Sequence, residues 1–241
     1  MSFYRRTNYR AGFCRFAPKR RPLRFALSSV FVAPAKLDFM DMCLPADDQG
    51  NTPTCAAHAT ASFIEVENWR LTHHPKQVDA TPIYEKAKAI DSDGQDGTTL
   101  ESAAQAAIAL GMIKAIPSFL SDNNPNTLKF AIHTHYGCIL GMNITEEWNS
   151  VGSDGKLEVI PNAEVIGGHG IYSPAYDGYG PWVENSWGLS YGLGGFIQMS
   201  WEQYRAQWMD GCVLILQSEI NAASDIFVAL NNATNNKEMA V

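Results

Sequence analysis

The chain has 241 residues, of which 46% are hydrophobic and 18% charged, so it is long enough and apolar enough to bury a substantial core. It has no run of about 18 apolar residues, which excludes a typical membrane-spanning helix. Its five cysteines form no Cys-x-x-Cys pair, and no histidines stand at zinc-ligand spacing. We therefore expect neither a disulfide framework nor a metal site, and no cofactor.

Charge is distributed unevenly along the chain. The first 24 residues carry eight basic residues and no acidic one, whereas the remainder carries ten basic and 25 acidic residues, a net charge of −15. We predict that residues 1–37 form a basic arm, suited to bind nucleic acid, an anionic assembly or the acidic body itself. An Arg-rich start without acids also resembles a transit peptide, but there is no clear secretion signal, which favours an intracellular or virion-associated protein. The basic residues of the arm are Arg5, Arg6, Arg10, Arg15, Lys19, Arg20, Arg21 and Arg24.

The part of the chain after the arm begins with three predicted helices. The first runs from Cys55 to about Arg70, where apolar residues recur every three or four positions; we expect Thr54 to cap it through its hydroxyl. The second covers residues 82–90. The third covers residues 98–111, with Thr98 or Thr99 as its cap and a glycine at its end.

Short segments rich in Ile, Val and Tyr follow, and they predict strands at 138–144, 155–161, 169–176, 182–187 and 195–200. Helices first and strands later indicate an α+β fold. We predict one domain over residues 38–217, with a helical half at about 45–120 and an antiparallel β half at about 125–212. Residues 218–241 are predicted to form a C-terminal extension and polar tail.

A cysteine at a helix N-terminus is placed to react, because the helix dipole lowers the pKa of its thiol. Cys55 has this position, and it would also need a histidine and a group that orients the histidine. His169 and Asn185 stand in "GGHG" and "NSWG", and Gln49 lies six residues before Cys55. His58 is a poor rival base, because it shares the helix of Cys55. The remaining cysteines of the body, Cys43, Cys138 and Cys212, are interpreted as packing residues.

These motifs, in this order, resemble those of the papain-like cysteine peptidases, and the segment around Cys55 is closest to bacterial or phage-type members. The resemblance covers residues 38 to 212. It rests on Gln49-Gly50, Cys55, Gly168-His169-Gly170, Tyr176-Asp177 and Asn185-Ser186-Trp187-Gly188.

The resemblance implies the papain-like α+β fold, with the Cys-bearing helix at its centre and a cleft between the two halves, and hydrolysis of a polypeptide substrate. Cys55 would be the nucleophile, His169 its proton carrier and Asn185 the residue that orients the imidazole. Gln49 would contribute to the oxyanion hole. Trp187 would shield the His–Asn hydrogen bond from water.

Some residues depart from the family pattern. Pro53-Thr54 and Ala56 flank Cys55 where the family has Gly-Ser and Trp, and Pro174 interrupts the strand that carries His169. These departures leave open a structural or anchoring protein with weak or lost catalysis, for example in a virion, whose basic arm is the binding element. A transamidase or deamidase is a further alternative. For an active peptidase, we expect residues 25–37 to lie across or near the cleft.

Overall fold

The computed structural model describes residues 31–223, together with the backbone of Cys14–Arg15 and Arg24–Phe25. Most of the predicted basic arm and the polar tail from residue 224 onward lie outside the described residues. None of the helices within the described residues is long and apolar enough to cross a membrane.

Helices and strands alternate in the first half of the chain, and strands dominate the second half. The helices are α1 (Cys55–Thr72), α2 (Ala80–Asp91), α3 (Leu100–Ala109), α4 (Pro125–His135) and α5 (Trp201–Gln207), with short 3-10 helices at Met40–Met42 and Glu146–Ser150. The strands are β1 (Cys14–Arg15), β2 (Arg24–Phe25), β3 (Leu37–Asp38), β4 (Thr98–Thr99), β5 (Ala115–Leu120), β6 (Cys138–Thr145), β7 (Val165–Tyr176), β8 (Pro181–Glu184), β9 (Phe196–Gln198) and β10 (Trp208–Leu216). The predicted α+β fold is confirmed.

Helix α1 lies at the centre of the molecule, against α2 and α3 on one side and β6 and β7 on the other. Buried residues therefore surround its first three turns rather than forming a single stripe. The predicted side-chain cap is wrong, because the Thr54 hydroxyl pairs with the Thr52 hydroxyl at 2.7 Å. The Thr54 carbonyl instead accepts the first helical hydrogen bonds, from the amides of Ala57 and His58. On α3 the predicted cap is confirmed, since the Thr99 hydroxyl accepts from the amide of Ser102.

The main sheet has the strand order β2-β5-β10-β6-β7-β8-β9, and β3 pairs with β7 outside this order. All pairs in this sheet are antiparallel except β2 with β5. The β7–β8 pairing shifts between Tyr172 and Ala175, around Pro174, whose carbonyl accepts from the amide of Phe39. The irregularity stays local, because His169 remains in register with Met142 on β6.

The strand predicted at residues 155–161 is wrong. Only an isolated bridge between Lys156 and Gln198 forms there. Gly155 has φ of 70°, which turns the chain, and Pro161 has no amide hydrogen to donate to a ladder. Strands β5 and β10 and helices α4 and α5 were not among the predicted elements.

Candidate active site

Cys55 is the first residue of α1 and is only 1% exposed. The start of the helix lies directly against β7. A Cβ atom added to Gly170 would stand 2.7 Å from Ala56 Cα and 3.1 Å from the carbonyl carbon of Cys55. Since Gly170 follows His169, this backbone contact brings the start of α1 beside the strand that carries the histidine.

His169 is completely buried, and its Nε2 lies 2.7 Å from Asn185 Oδ1. An amide oxygen can only accept a hydrogen bond, so Nε2 carries the proton and Nδ1 is the basic nitrogen of the neutral ring. Nδ1 has no hydrogen-bond partner among the described residues. The ring is therefore oriented through one nitrogen and keeps the other available to exchange a proton.

Two tryptophans enclose this imidazole. The Trp187 ring lies 4.9 Å from the His169 ring, centroid to centroid, and the Trp148 ring meets it edge-on at 6.3 Å. Trp187 also packs against Tyr191, whose hydroxyl donates to the Trp148 carbonyl at 2.7 Å. The His169–Asn185 bond thus lies in an aromatic enclosure that excludes water, where a hydrogen bond is electrostatically stronger than in solvent.

Burial lowers the pKa of His169 to about 4, because the imidazolium loses its hydration. The hydrogen bond to Asn185 acts in the opposite direction, and positive charge on His58 adds to the lowering. The imidazole is consequently neutral at physiological pH in this closed arrangement. His58 itself is held by Asp47, with 3.2 Å between Nδ1 and Oδ2, so it has a structural partner.

Gln49 is buried in a turn that is tied to the segment following Asn185. Its backbone N–H donates to the Ser186 carbonyl at 2.8 Å, and its side-chain Oε1 accepts from the Ser186 hydroxyl at 2.5 Å. Its Nε2 donates to the Thr52 carbonyl at 2.7 Å. A carboxamide has two N–H donors, so the second one stays available for a ligand.

The structure thus brings Cys55, His169, Asn185, Gln49 and Trp187 into one region where α1 meets β7 and β8. Cys138 and Cys212 are buried, as expected for packing residues, and Cys43 is half-buried. Within residues 31–223 no group of three or more His, Cys, Asp or Glu side chains has the arrangement of a metal site.

Two residues beside this site, Ser186 and Glu184, had no role predicted from the sequence. Ser186 holds the side chain of Gln49, and its position inside "NSWG" was the available signal. Glu184 was left without a role because a residue next to Asn185 in a strand points to the opposite face. It is buried, and nothing in the local sequence indicates that α1 covers it.

No protein-family model and no curated protein sequence matches the chain. Solved structures of other proteins, however, superpose on it. Xylellain, a cysteine protease from Xylella fastidiosa, superposes with a TM-score of 0.71 at 17% identity, over 87% of this chain and 97% of that one. A digestive procathepsin L 3 of Tenebrio molitor larval midgut superposes with a TM-score of 0.68 at 15% identity, over 86% of this chain and 77% of that one. The proform of the Amb a 11 cysteine protease, a ragweed pollen allergen, superposes with a TM-score of 0.62 at 16% identity, over 79% of this chain and 67% of that one. At these identities the likeness establishes a shared fold.

Proposed function

We propose that this protein, which has the papain-like fold, is a cysteine peptidase. Cys55 is the nucleophile, and His169 and Asn185 complete the site. The observation that carries the proposal is the 2.7 Å bond between His169 Nε2 and Asn185 Oδ1. It leaves Nδ1 without a partner among the described residues, on a strand whose next residue touches the start of the Cys55 helix.

The reaction follows from this arrangement. His169 Nδ1 takes the proton of the Cys55 thiol, and the sulfur attacks the carbonyl carbon of a peptide bond. Nδ1 then returns this proton to the leaving amine, which departs and leaves an acyl group on Cys55. In the second half, Nδ1 removes a proton from water and the hydroxide attacks the acyl carbon. The carbon–sulfur bond then breaks, which releases the acyl group as a carboxylic acid, and the proton returns to the sulfur. Asn185 keeps the ring oriented throughout.

Negative charge develops on the carbonyl oxygen in each half of this reaction. The second N–H of Gln49 Nε2 and the backbone N–H of Cys55 are proposed to stabilise this charge. Removal of one such donor typically raises the barrier by about 3 kcal/mol. Trp187 excludes water from the His169–Asn185 bond, which strengthens its orienting effect.

Substrate must gain access to a site in which Cys55 and His169 are almost completely covered. Strand β1 (Cys14–Arg15) supports the hypothesis that the arm covers the cleft. It pairs with β4 at the start of α3 and also lies against β6 and β7, so it connects helical and strand elements. Residues 25–37, the segment predicted from the sequence to lie near the cleft, lie elsewhere where the structure describes them: Phe25 pairs with Leu120 on β5, and Phe31 packs against Phe130 on α4. The proposed role of the arm is therefore to limit access until it is cleaved or displaced.

No observation on the described residues favours the anchoring alternative, since most of the basic arm lies outside them. The deamidase and transamidase alternatives require a different acyl acceptor or an amide side chain as substrate. Asn185 in place of an aspartate favours the peptidase.

Digestion of a mixed peptide library tests the proposal. The wild-type chain and a chain without residues 1–37 are incubated with the library in water enriched in ¹⁸O, and products are identified by mass spectrometry. A peptidase generates new amino termini and new carboxyl termini that carry ¹⁸O, and the Cys55→Ala variant generates none. Equal products from wild type and Cys55→Ala would contradict the assignment, and so would incorporation of ¹⁸O only into glutamine or asparagine side chains.

A further inference from the structure

The loop that connects α2 to β4 and α3 is folded around a lysine side chain. Lys88 lies in the last turn of α2, and its Nζ donates to the carbonyl oxygens of Gln95 and Gly97, the second at 3.1 Å. The same Nζ lies 3.4 Å from Asp93 Oδ1. An ammonium group has three N–H donors and no acceptor, so these three oxygens match all of its donors. Lys88 therefore occupies the centre of the loop as a bound cation would.

The charges in this loop are largely shielded from solvent. The Lys88 side chain is 21% exposed, and its Nζ lies 4.0 Å from Asp91 Oδ2, on a side chain that is 6% exposed. Attraction between opposite charges is stronger where water is displaced, and removal of one partner from a shielded pair leaves the other charge without compensation. Loss of the ammonium group therefore affects the whole loop rather than a single contact.

Asp91 joins this loop to β4 and to the first turn of α3. Its Oδ2 accepts from the Thr98 hydroxyl at 2.7 Å, and its Oδ1 accepts from the Ser102 hydroxyl at 2.6 Å. Thr98 is the first residue of β4 and is only 1% exposed. Hydrogen bonds and ion pairs therefore run without a break from Lys88 at the end of α2, through Asp91, to β4 and the start of α3.

Strand β4 is also the place where the arm is attached to the body. The two residues of β1 lie opposite the two residues of β4, in a parallel pair that forms a sheet of its own. Two paired strands without further neighbours are only marginally stable in water, so this attachment depends on how rigidly β4 is held. Gly97, whose carbonyl oxygen Lys88 binds, is the residue immediately before β4. Lys88 thus acts at the point where the edge begins.

We propose that Lys88 is a positioning residue for β4 and, through β4, for the arm. With the ammonium group in place, the loop is closed, β4 is rigid and β1 pairs with it. Without the ammonium group, the loop opens, β4 loses its alignment and the arm is released. The consequence for access to Cys55 rests on the proposed peptidase function and on the role of the arm in it, whereas the attachment of the arm to β4 does not.

Two measurements on the full chain test the proposal without reference to activity. Both use the Cys55→Ala background, in which the chain cannot cleave its own arm, and the substitution Lys88→Met, which keeps the side-chain length and removes the charge. Hydrogen exchange of the segment that contains β4, measured by mass spectrometry, should become at least about tenfold faster. Cleavage by trypsin after Arg15 should become at least about fivefold faster, because the protease cuts the released form of β1.

Lys86→Met is the matched control. Lys86 lies two residues earlier on α2 at an exposed position, so both rates should stay within about twofold of those of the parent chain. If Lys88→Met does not fold, Thr98→Val tests the same network, since it removes the hydroxyl that binds Asp91 and keeps a residue suited to a strand. Exchange and cleavage rates that match those of the parent chain would overturn the proposal, and faster exchange without faster cleavage would overturn the link to the arm.

Alkylation of Cys55 by a small thiol reagent connects this network to the proposed active site. In chains that keep Cys55, Lys88→Met should increase the alkylation rate at least about threefold, and this increase should disappear in chains without residues 1–37. An equal increase in chains without the arm would indicate general loosening of the fold and would contradict the proposal. If Cys55 reacts in none of the chains, the proposed function fails, and the exchange and trypsin rates alone decide whether Lys88 positions β4 and the arm.

Discussion

The contact between β7 and the start of α1 is the structural feature on which the proposed site depends most. Replacing Gly170 by alanine places a Cβ atom 2.7 Å from Ala56 Cα, whereas ordinary contacts of this kind are 3.4–4 Å. Both atoms belong to backbone or are fixed to it, so the strand and the helix must separate by at least about 0.7 Å to restore an ordinary contact. Because Cys55 and His169 lie on either side of this contact, the displacement acts directly on their separation.

A displacement approaching 1 Å lowers the rate by up to about 100-fold, and we expect kcat/KM of Gly170→Ala to fall 10- to 100-fold. Overpacking costs about 1–3 kcal/mol, offset by up to about 1 kcal/mol from the reduced entropy of the unfolded chain. Urea unfolding and peptide hydrolysis measure the two effects. Gly178→Ala is the control, because nothing lies within 4 Å of its added Cβ. A folded Gly170→Ala variant with kcat/KM within twofold of the wild type would refute this reasoning.

Two further predictions concern the oxyanion side of the site and access to it. Ser186→Ala removes the hydroxyl that holds Gln49 Oε1; we expect kcat to fall about tenfold with KM nearly unchanged, because the freed amide affects mainly the transition state. Steady-state kinetics on a peptide substrate measures this, and a change confined to KM would contradict it. Deletion of residues 1–37 should increase the rate of alkylation of Cys55 by a small thiol reagent at least about tenfold, provided that the arm limits access. An unchanged rate in the folded, shortened chain would contradict that role for the arm.

The local signals in the sequence were sufficient for the parts of the fold that depend on local chemistry. The Thr99 cap, the glycine after α3, the strand that carries His169 and the strand that ends just before Asn185 follow from capping and periodicity. Helix α4 also had a readable start, since Asn124 caps it and Pro125 occupies its first turn. No element was predicted from the sequence for these residues.

Other features depend on contacts between distant segments. The Thr54 hydroxyl is drawn to Thr52 by the turn that Gln49 organises, so a normal cap residue makes no cap bond. Glu184 is buried at the end of β8, where His58, Ala59 and Ser62 of α1 line the same cavity. Burial of this kind is a tertiary property, which a single sequence does not encode in any short window.

The measurement that tests the central claim most directly is labelling of the cysteines near pH 6 with an epoxysuccinyl affinity label, followed by peptide mass spectrometry. The wild type, His169→Ala and the corresponding chains without residues 1–37 are compared. We expect Cys55 to be labelled while Cys138 and Cys212 are not, and we expect His169→Ala to reduce the labelling rate of Cys55 by at least about 100-fold. A folded chain without the arm in which Cys55 remains unlabelled, or is labelled equally fast without His169, would contradict the account.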